Sequence, residues 1–254
     1  MHSTLTRHLD KWVNVLTLCS LLGLSVHSQA QQAQSAINRA DANTASSLPN
    51  QSCREIAARS AQNRDGRYLL QLRGQSVPLY CHDMAGEPRE YLELPEGNCS
   101  EYTSITHTIR RVQTCFQRVR LDPETLRVDI GDLRFSETYK LGVITHGKSM
   151  VNAMPYATAM SCDAPRFPAG KASITLTGTS FDVVDTFRAQ GYLADGNVYR
   201  DDGEQRVQLR GGGYCGWITP GHVYNPMYTA DWNPLQNSSG YLLQLRILSD
   251  KEMK

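Results

Sequence analysis

The chain has 254 residues, 40% of them hydrophobic and 20% charged, with 26 basic against 25 acidic side chains and a formal net charge of +1. This is ordinary globular composition, with length enough for one large core or two small ones, so wholesale disorder is excluded. With no basic excess and no Lys/Arg run to neutralise a phosphate backbone, nucleic acid is excluded as a partner.

The amino terminus reads differently from the rest. Arg7 and Lys11 precede an apolar run from Trp12 to Val26, and Ser28-Gln29-Ala30 has the small-x-small form of a cleavage site. Residues 1–30 are therefore expected to be a secretory signal, with the mature chain starting near Gln29 or Gln31. The run is about 15 residues, interrupted by Asn14, Thr17 and Ser20, and falls short of the roughly 20 needed to span a bilayer. Leu18, just before Cys19, is large where a lipoprotein signal requires a small residue. Removing residues 1–30 takes away Arg7, Lys11 and Asp10 and leaves 24 basic against 24 acidic side chains. Residues 31–51 are Gln-, Ala-, Ser- and Asn-rich with only Ile37 and Leu48 as sizeable apolar groups, too few to offset the entropy of ordering, and read as a flexible linker.

The first structured signal is Ser52 followed three residues later by Glu55, a capping box that predicts a short helix from Cys53, ending before the Asn63-Arg64-Asp65-Gly66 turn. Tyr68, Leu70 and Leu72 then alternate with Leu69, Gln71 and Arg73. After Gly74-Gln75 the run Val77–Cys81 returns alongside as a hairpin. Period two recurs in Tyr91–Leu94, in Val119 and Leu121, in Leu126, Val128 and Ile130, in Ile174 and Leu176 among threonines, and in Val207 and Leu209 between Arg206, Gln208 and Arg210. The strand Tyr241–Leu248 closes the series. The hexapeptide YLLQLR occurs at 68–73 and again at 241–246, which half-buried strands reuse without duplication. A second short helix is predicted at Asp185–Gln190, stopped by Gly191. Gly and Pro punctuate these strands, so the fold class is mainly β: an antiparallel sandwich or irregular barrel with one or two short helices.

After the leader six cysteines remain: Cys53, Cys81, Cys99, Cys115, Cys162 and Cys215. An even number in an exported chain implies three disulfides, with 15 connectivities open. A zinc site needs close pairs, and the nearest cysteines, Cys99 and Cys115, are 16 apart. The histidines are His82, His107, His146 and His222, and no His-Glu-x-x-His occurs. His82-Asp83 is read as a solvated strand end. The acidic tract Asp195–Glu204 lacks calcium-loop spacing and reads as a polar hairpin turn. Gly211-Gly212-Gly213 leads into Tyr214-Cys215 rather than a helix, so it is a site of close backbone packing under a disulfide, not a phosphate loop. Tyr214, Trp217, Tyr228 and Trp232 gather between Pro220, Pro226 and Pro234. Such aromatics suit contact with carbohydrate or protein, or fill a secondary core under a long loop. As a binding surface, they predict that Trp217→Ala weakens partner binding and leaves the fold intact.

Seven strings in one order, SCREI at 52–56, DGRYLLQLRG at 65–74, LYCHDM at 79–84, EPREYLEL at 87–94, PYATAMSCDA at 155–164, ASITLTGT at 172–179 and GGGYCG at 211–216, resemble the GON domain, the carboxyl-terminal module of some secreted ADAMTS-type metalloproteases. The opening also has the rhythm of a fibrinogen-like domain, which is not kept beyond Met84. The family pattern has further cysteines near Phe167, Gly211 and Ile218, and this chain carries an insertion-like tract at 219–239. Cys53 and Cys81 bracket the helix–hairpin unit and share the spacing of the first bridge of fibrinogen-like domains. They are expected to pair, Cys99 with Cys115 and Cys162 with Cys215 being the favoured remainder.

The expectation is thus an exported, disulfide-stapled GON-like domain at 52–248, with no cofactor and no metal site of its own. It acts as a non-catalytic binding or adhesion module for extracellular protein or glycan. The alternative implied by the resemblance is a secreted, zinc-dependent, metallopeptidase-associated protein, with zinc as its cofactor.

Overall fold

The computed structural model describes residues 50–59, 64–104, 108–146, 149–162, 169–191, 193–221, 242–249 and 252. Asn50–Lys254 form one compact unit. It opens with α1 (Cys53–Arg59). The Ser52 hydroxyl accepts the Glu55 N–H at 3.2 Å, and the Glu55 carboxylate accepts the N–H of Gln51 at 2.8 Å, one residue ahead of its usual capping-box partner. Strands β1 (Gly66–Leu72) and β2 (Gln75–His82) follow, with Leu72 opposite Gln75. Arg73 and Gly74 both take positive φ, 50° and 84°, the turn whose twist matches that of the strands. Leu70, Leu72, Val77 and Leu79 are buried while Leu69 faces water, as the alternation requires.

The remaining strands are β3 (Arg89–Glu93), β4 (Cys99–Ser104), β5 (Arg110–Phe116), β6 (Arg118–Asp122), β7 (Arg127–Asp129) and β8 (Ser136–Leu141). A small ribbon, β9 (Thr145–His146) and β10 (Ser149–Met150), precedes β11 (Ala159–Ser161), β12 (Gly170–Thr175), β13 (Phe181–Val183) and β14 (Phe187–Gln190). The hairpin of β15 (Asp195–Asp201) and β16 (Arg206–Gly212), then β17 (Gly216–Pro220) and β18 (Leu242–Ile247), complete the described strands.

One sheet runs β1-β2-β3-β6-β7-β18-β13. The second begins β8-β5-β4 and then forks. Residues 99 and 100 of β4 pair with β12, which leads to β16 and β15, while residues 101–103 pair with β11, which leads to β17 and β14. The β4–β11 ladder is parallel, and all other described pairs are antiparallel. Backbones nearly touch in the fork. A Cβ at Gly170 would collide with the main chain of Met160, and one at Gly212, whose φ is 152°, with the Ser161 hydroxyl. That close approach accounts for the glycine run that ends β16. Asn98 ties the branch down: its amide N–H donates to the carbonyls of Pro95 and Thr175, and its oxygen accepts from the Thr175 N–H and the Tyr156 hydroxyl, each at 2.8–2.9 Å.

The main core lies between the sheets. Leu70, Leu79, Leu121, Val128, Phe181 and Leu245 of the first meet Phe116, Ala172, Ile174, Val207, Leu209 and Ile218 of the second. Three disulfides staple it, Cys53–Cys81, Cys99–Cys115 and Cys162–Cys215, the second between residues directly opposite each other on β4 and β5. The second helix expected at Asp185–Gln190 does not form. The Asp185 carboxylate instead accepts the N–H groups of Thr186 and Gln244, which holds the chain extended, and Phe187–Gln190 pair with β17. The two YLLQLR copies occupy unlike places, β1 at the sheet edge and β18 between β7 and β13.

Candidate binding face

Of the aromatic surface expected from the sequence, the structure places two members and separates them. Tyr214 is 42% exposed, whereas Trp217 is 3% exposed and belongs to a second core with Tyr102, Val112, Ile144, Val151, Met154 and Met160. Trp217 lies opposite Met160 on one side and Gln190 on the other, so its indole follows the inward face of the sheet and cannot serve as a contact residue. Tyr228 and Trp232 lie outside the described residues.

His82 is not a solvated strand end either. Its Nδ1 lies 2.6 Å from the Asp65 carboxylate and its Nε2 3.2 Å from Arg134, while the ring packs edge-on against Tyr91 and Phe135. Burial pushes the Asp65 carboxyl up, but the N–H groups of Met84 and Asp83 and the bond to His82 outweigh it and hold the group below its ordinary range. Burial and the bond to Asp132 raise the Tyr91 phenol to about 12. The cluster clamps the segment 131–136 onto the first sheet. His146 forms part of β9, and His107 and His222 lie outside the described residues. Among the described residues no three His, Cys, Asp or Glu side chains are placed to hold a metal ion. No described helix is long and apolar enough to cross a membrane.

Two recesses mark the surface. A hollow of about 570 Å³ between α1, β3, β6 and β7 is lined by Arg54, Arg89, Glu90, Arg120, Asp122 and Asp129, among others. Several of its charged groups are engaged within the fold. Arg120 pairs with Asp129 at 3.7 Å, Asp122 accepts the N–H groups of Glu124 and Thr125, and the buried Glu90 accepts the Cys53 N–H at 2.6 Å. Burial raises the Glu90 carboxyl and leaves it a tether for α1.

The second recess, about 290 Å³, opens on the outer face of the forked sheet. Inward-facing Ser100, Tyr102, Val112, Thr114, Ala172, Ile174, Val207 and Leu209 are buried, so the alternate residues face outward. The strand registers align those residues into two rows. One runs Tyr199, Gln208, Ser173, Cys99, Cys115 and Glu137 across β15, β16, β12, β4, β5 and β8. The other joins Asn197, Arg210 and Lys171 on one branch to Glu101, Gln113 and Tyr139 on the other. Glu101, Gln113, Lys171, Ser173, Gln208 and Arg210 all line the recess. Tyr199 and Tyr139, at opposite ends, are 54% and 58% exposed. Five strand spacings set the rows at about 24 Å long. None of these positions was singled out from the sequence as a site, although the outward parity of Gln208 and Arg210 was visible in the alternation of β16.

The GON domain model matches residues 50–113 and 108–225. The chain belongs to the GON domain family. It is 33% identical over 195 residues to mouse "A disintegrin and metalloproteinase with thrombospondin motifs 20" and 31% identical to the human protein of the same name, covering 66% of this chain and 10% of each relative. The Caenorhabditis elegans protein "A disintegrin and metalloproteinase with thrombospondin motifs gon-1" is 26% identical over 195 residues, 66% of this chain and 9% of that protein. The chain thus spans about a tenth of the length of the relatives it matches. No solved structure matches it. Both outward rows fall inside the GON match, which runs from ahead of α1 through β17.

Proposed function

We propose that this GON domain is an exported, non-catalytic binding module that recognises an extracellular protein or glycan. The observation that carries the reading is the outer face of the forked sheet. Polar side chains with free hydrogen-bonding capacity stand in rows on rigid strands, with an exposed tyrosine at each end. Antiparallel sheets commonly leave one face to solvent, so polarity alone says little. Exposed tyrosines are different, since they supply stacking area at low entropic cost and a hydroxyl at the rim. Recognition by such a face needs no perturbed titrating group and no metal. Export is supported by the leader-like residues 1–30 and by three disulfides, which persist in oxidising compartments.

The test expresses the full chain through a eukaryotic secretory pathway and sequences the amino terminus of the medium form. It then screens that form on a glycan array and a panel of purified extracellular proteins. The expected result is a mature start near Gln29 or Gln31, and a ligand whose binding falls at least tenfold in Tyr139→Ala/Tyr199→Ala with the unfolding midpoint unchanged. Stoichiometric zinc with chelator-sensitive proteolysis would overturn the reading in favour of a metallopeptidase.

A further inference from the structure

Lys171 on β12 and Arg210 on β16 are direct cross-strand partners in the centre of the outer face. Opposed side chains on one face have Cβ atoms about 4.5–5.5 Å apart, and like charges in that position destabilise a sheet. The other neighbour of β16 shows the ordinary arrangement, where Asp201 of β15 stands opposite Arg206. Both cations are exposed, and neither forms an ion pair or a hydrogen bond among the described residues. The carboxylate that could have neutralised them is engaged elsewhere. Glu101, 8% exposed, accepts the Thr103 hydroxyl at 2.6 Å and lies 3.7 Å from Arg111. Two unneutralised cations at the mouth of a recess break a local rule of sheet pairing without a structural return.

We infer that Lys171 and Arg210 hold the anionic group, sulfate or carboxylate, of an acidic glycan laid across the outer face. The neighbouring groups fit the remainder of such a ligand. Asn197, Gln208 and Gln113 present amides that form no hydrogen bond among the described residues and can both donate to and accept from sugar hydroxyls. Tyr199, beside Asn197 and Gln208, offers a ring for a pyranose face at one end of the rows, and Tyr139 does so at the other. The Ser173 hydroxyl is not available, since it donates to the Gly97 carbonyl. The recess, at about 290 Å³, falls at the lower limit of small-molecule sites, a size for one or two residues of a chain that continues over both rims. Anion contacts of this kind favour Arg for its planar fork and Lys as a point charge.

This inference rests on the binding-module reading, and the experiment separates the two. The full secreted chain is titrated with a heparin hexasaccharide, a hyaluronan hexasaccharide and the neutral chitohexaose. The same probes are applied to Lys171→Gln/Arg210→Gln and to Arg73→Asn, a charge loss in the β1–β2 turn on the other sheet. Heparin binding that weakens at least tenfold in the double variant, falls with added salt and is unchanged in Arg73→Asn supports the site. Preference for hyaluronan over heparin assigns the carboxylate, and the reverse assigns the sulfate. Removing like-charge repulsion should leave the melting temperature of the double variant equal or higher, a result that a merely structural pair would not give. Equal heparin binding by parent and double variant, or capture of an acidic peptide in place of every anionic sugar, overturns the anion site. Binding of a neutral glycan or a protein through Tyr139 and Tyr199, with all anionic probes ignored, overturns it while the module reading stands. A chain that binds nothing in either screen ends both.

Discussion

Trp217→Ala decides whether this indole is a core group or a ligand contact. At 3% exposure, amid Tyr102, Val112, Met154 and Met160, the side chain is removed from water almost entirely. A buried aromatic of this kind hides about 150–250 Å², which at about 25 cal/mol/Å² corresponds to roughly 4–6 kcal/mol. Measured Trp→Ala changes in cores, which include the retained methyl and partial collapse of the cavity, run about 3–5 kcal/mol, and that is the range expected here. A domain of typical stability, about 5–15 kcal/mol, would lose about a fifth or more of it. For a unit of this length each kcal/mol moves the midpoint by about 2–4 °C, so the melting temperature should fall on the order of 6–20 °C. Urea and thermal unfolding followed by near-ultraviolet circular dichroism measure the change. A loss under about 1 kcal/mol, with ligand binding abolished, would refute the core assignment and restore Trp217 to the surface.

Removing the Cys53–Cys81 bridge by Cys53→Ala/Cys81→Ala should lower stability by up to about 3.6 kcal/mol, the chain-entropy value for a separation of 28, and urea midpoints compared with the parent give the figure. Peptide mapping of the unreduced parent checks the pairing itself. Gly170→Ala should cost at least about 1–3 kcal/mol, because its methyl meets the backbone of Met160, which has no rotamer by which to yield; a neutral result by the same titration would show that the fork is looser than drawn. In Asp65 and Asp122 burial raises the carboxyl, but main-chain N–H bonds outweigh it and depress both groups. Their stabilisation is therefore present above the ordinary aspartate value near 3.9 and is lost as pH falls through the lower folded values. Asp65→Asn/Asp122→Asn should be less stable than the parent at pH 7 and lose less on acidification below about pH 4, and parallel stability–pH curves for the two proteins would contradict this.

Local signals were legible wherever a few adjacent residues decide the outcome. Ser52 and Glu55 start α1, Arg73-Gly74 turns the first hairpin, and the alternation around Val207 and Leu209 fixes which residues of β16 face water. The tract Asp195–Glu204 forms the polar hairpin that its spacing suggested. What the sequence could not display is adjacency between strands. Lys171 meets Arg210 because β12 pairs with β16, and both rows reach β5 only through the forked β4, dozens of residues away in the chain. Trp217 failed as a surface residue for the same reason: its exposure is set by Met160 and Gln190 on neighbouring strands. At Asp185–Gln190 two long-range demands, the bond to the Gln244 N–H and pairing with β17, overrode a six-residue helical pattern.

The position of β18 governs how the domain can be made. It is the last described strand to emerge from the ribosome, yet it lies between β7 and β13, and its buried Leu243 and Leu245 stand opposite Val128 and Val183, residues synthesised about 115 and 62 positions earlier. Until it arrives, β7 and β13 each expose a raw edge and the core between the sheets stays open on one side. Vectorial folding from the amino terminus must therefore halt short of the native state. At about 5–20 residues per second, the stretch from β13 to β18 takes several seconds to synthesise, an interval in which the nascent chain depends on chaperones. A nonsense codon between Gly213 and Leu242 would yield a chain with the binding rows encoded in full and no closed sandwich to hold them.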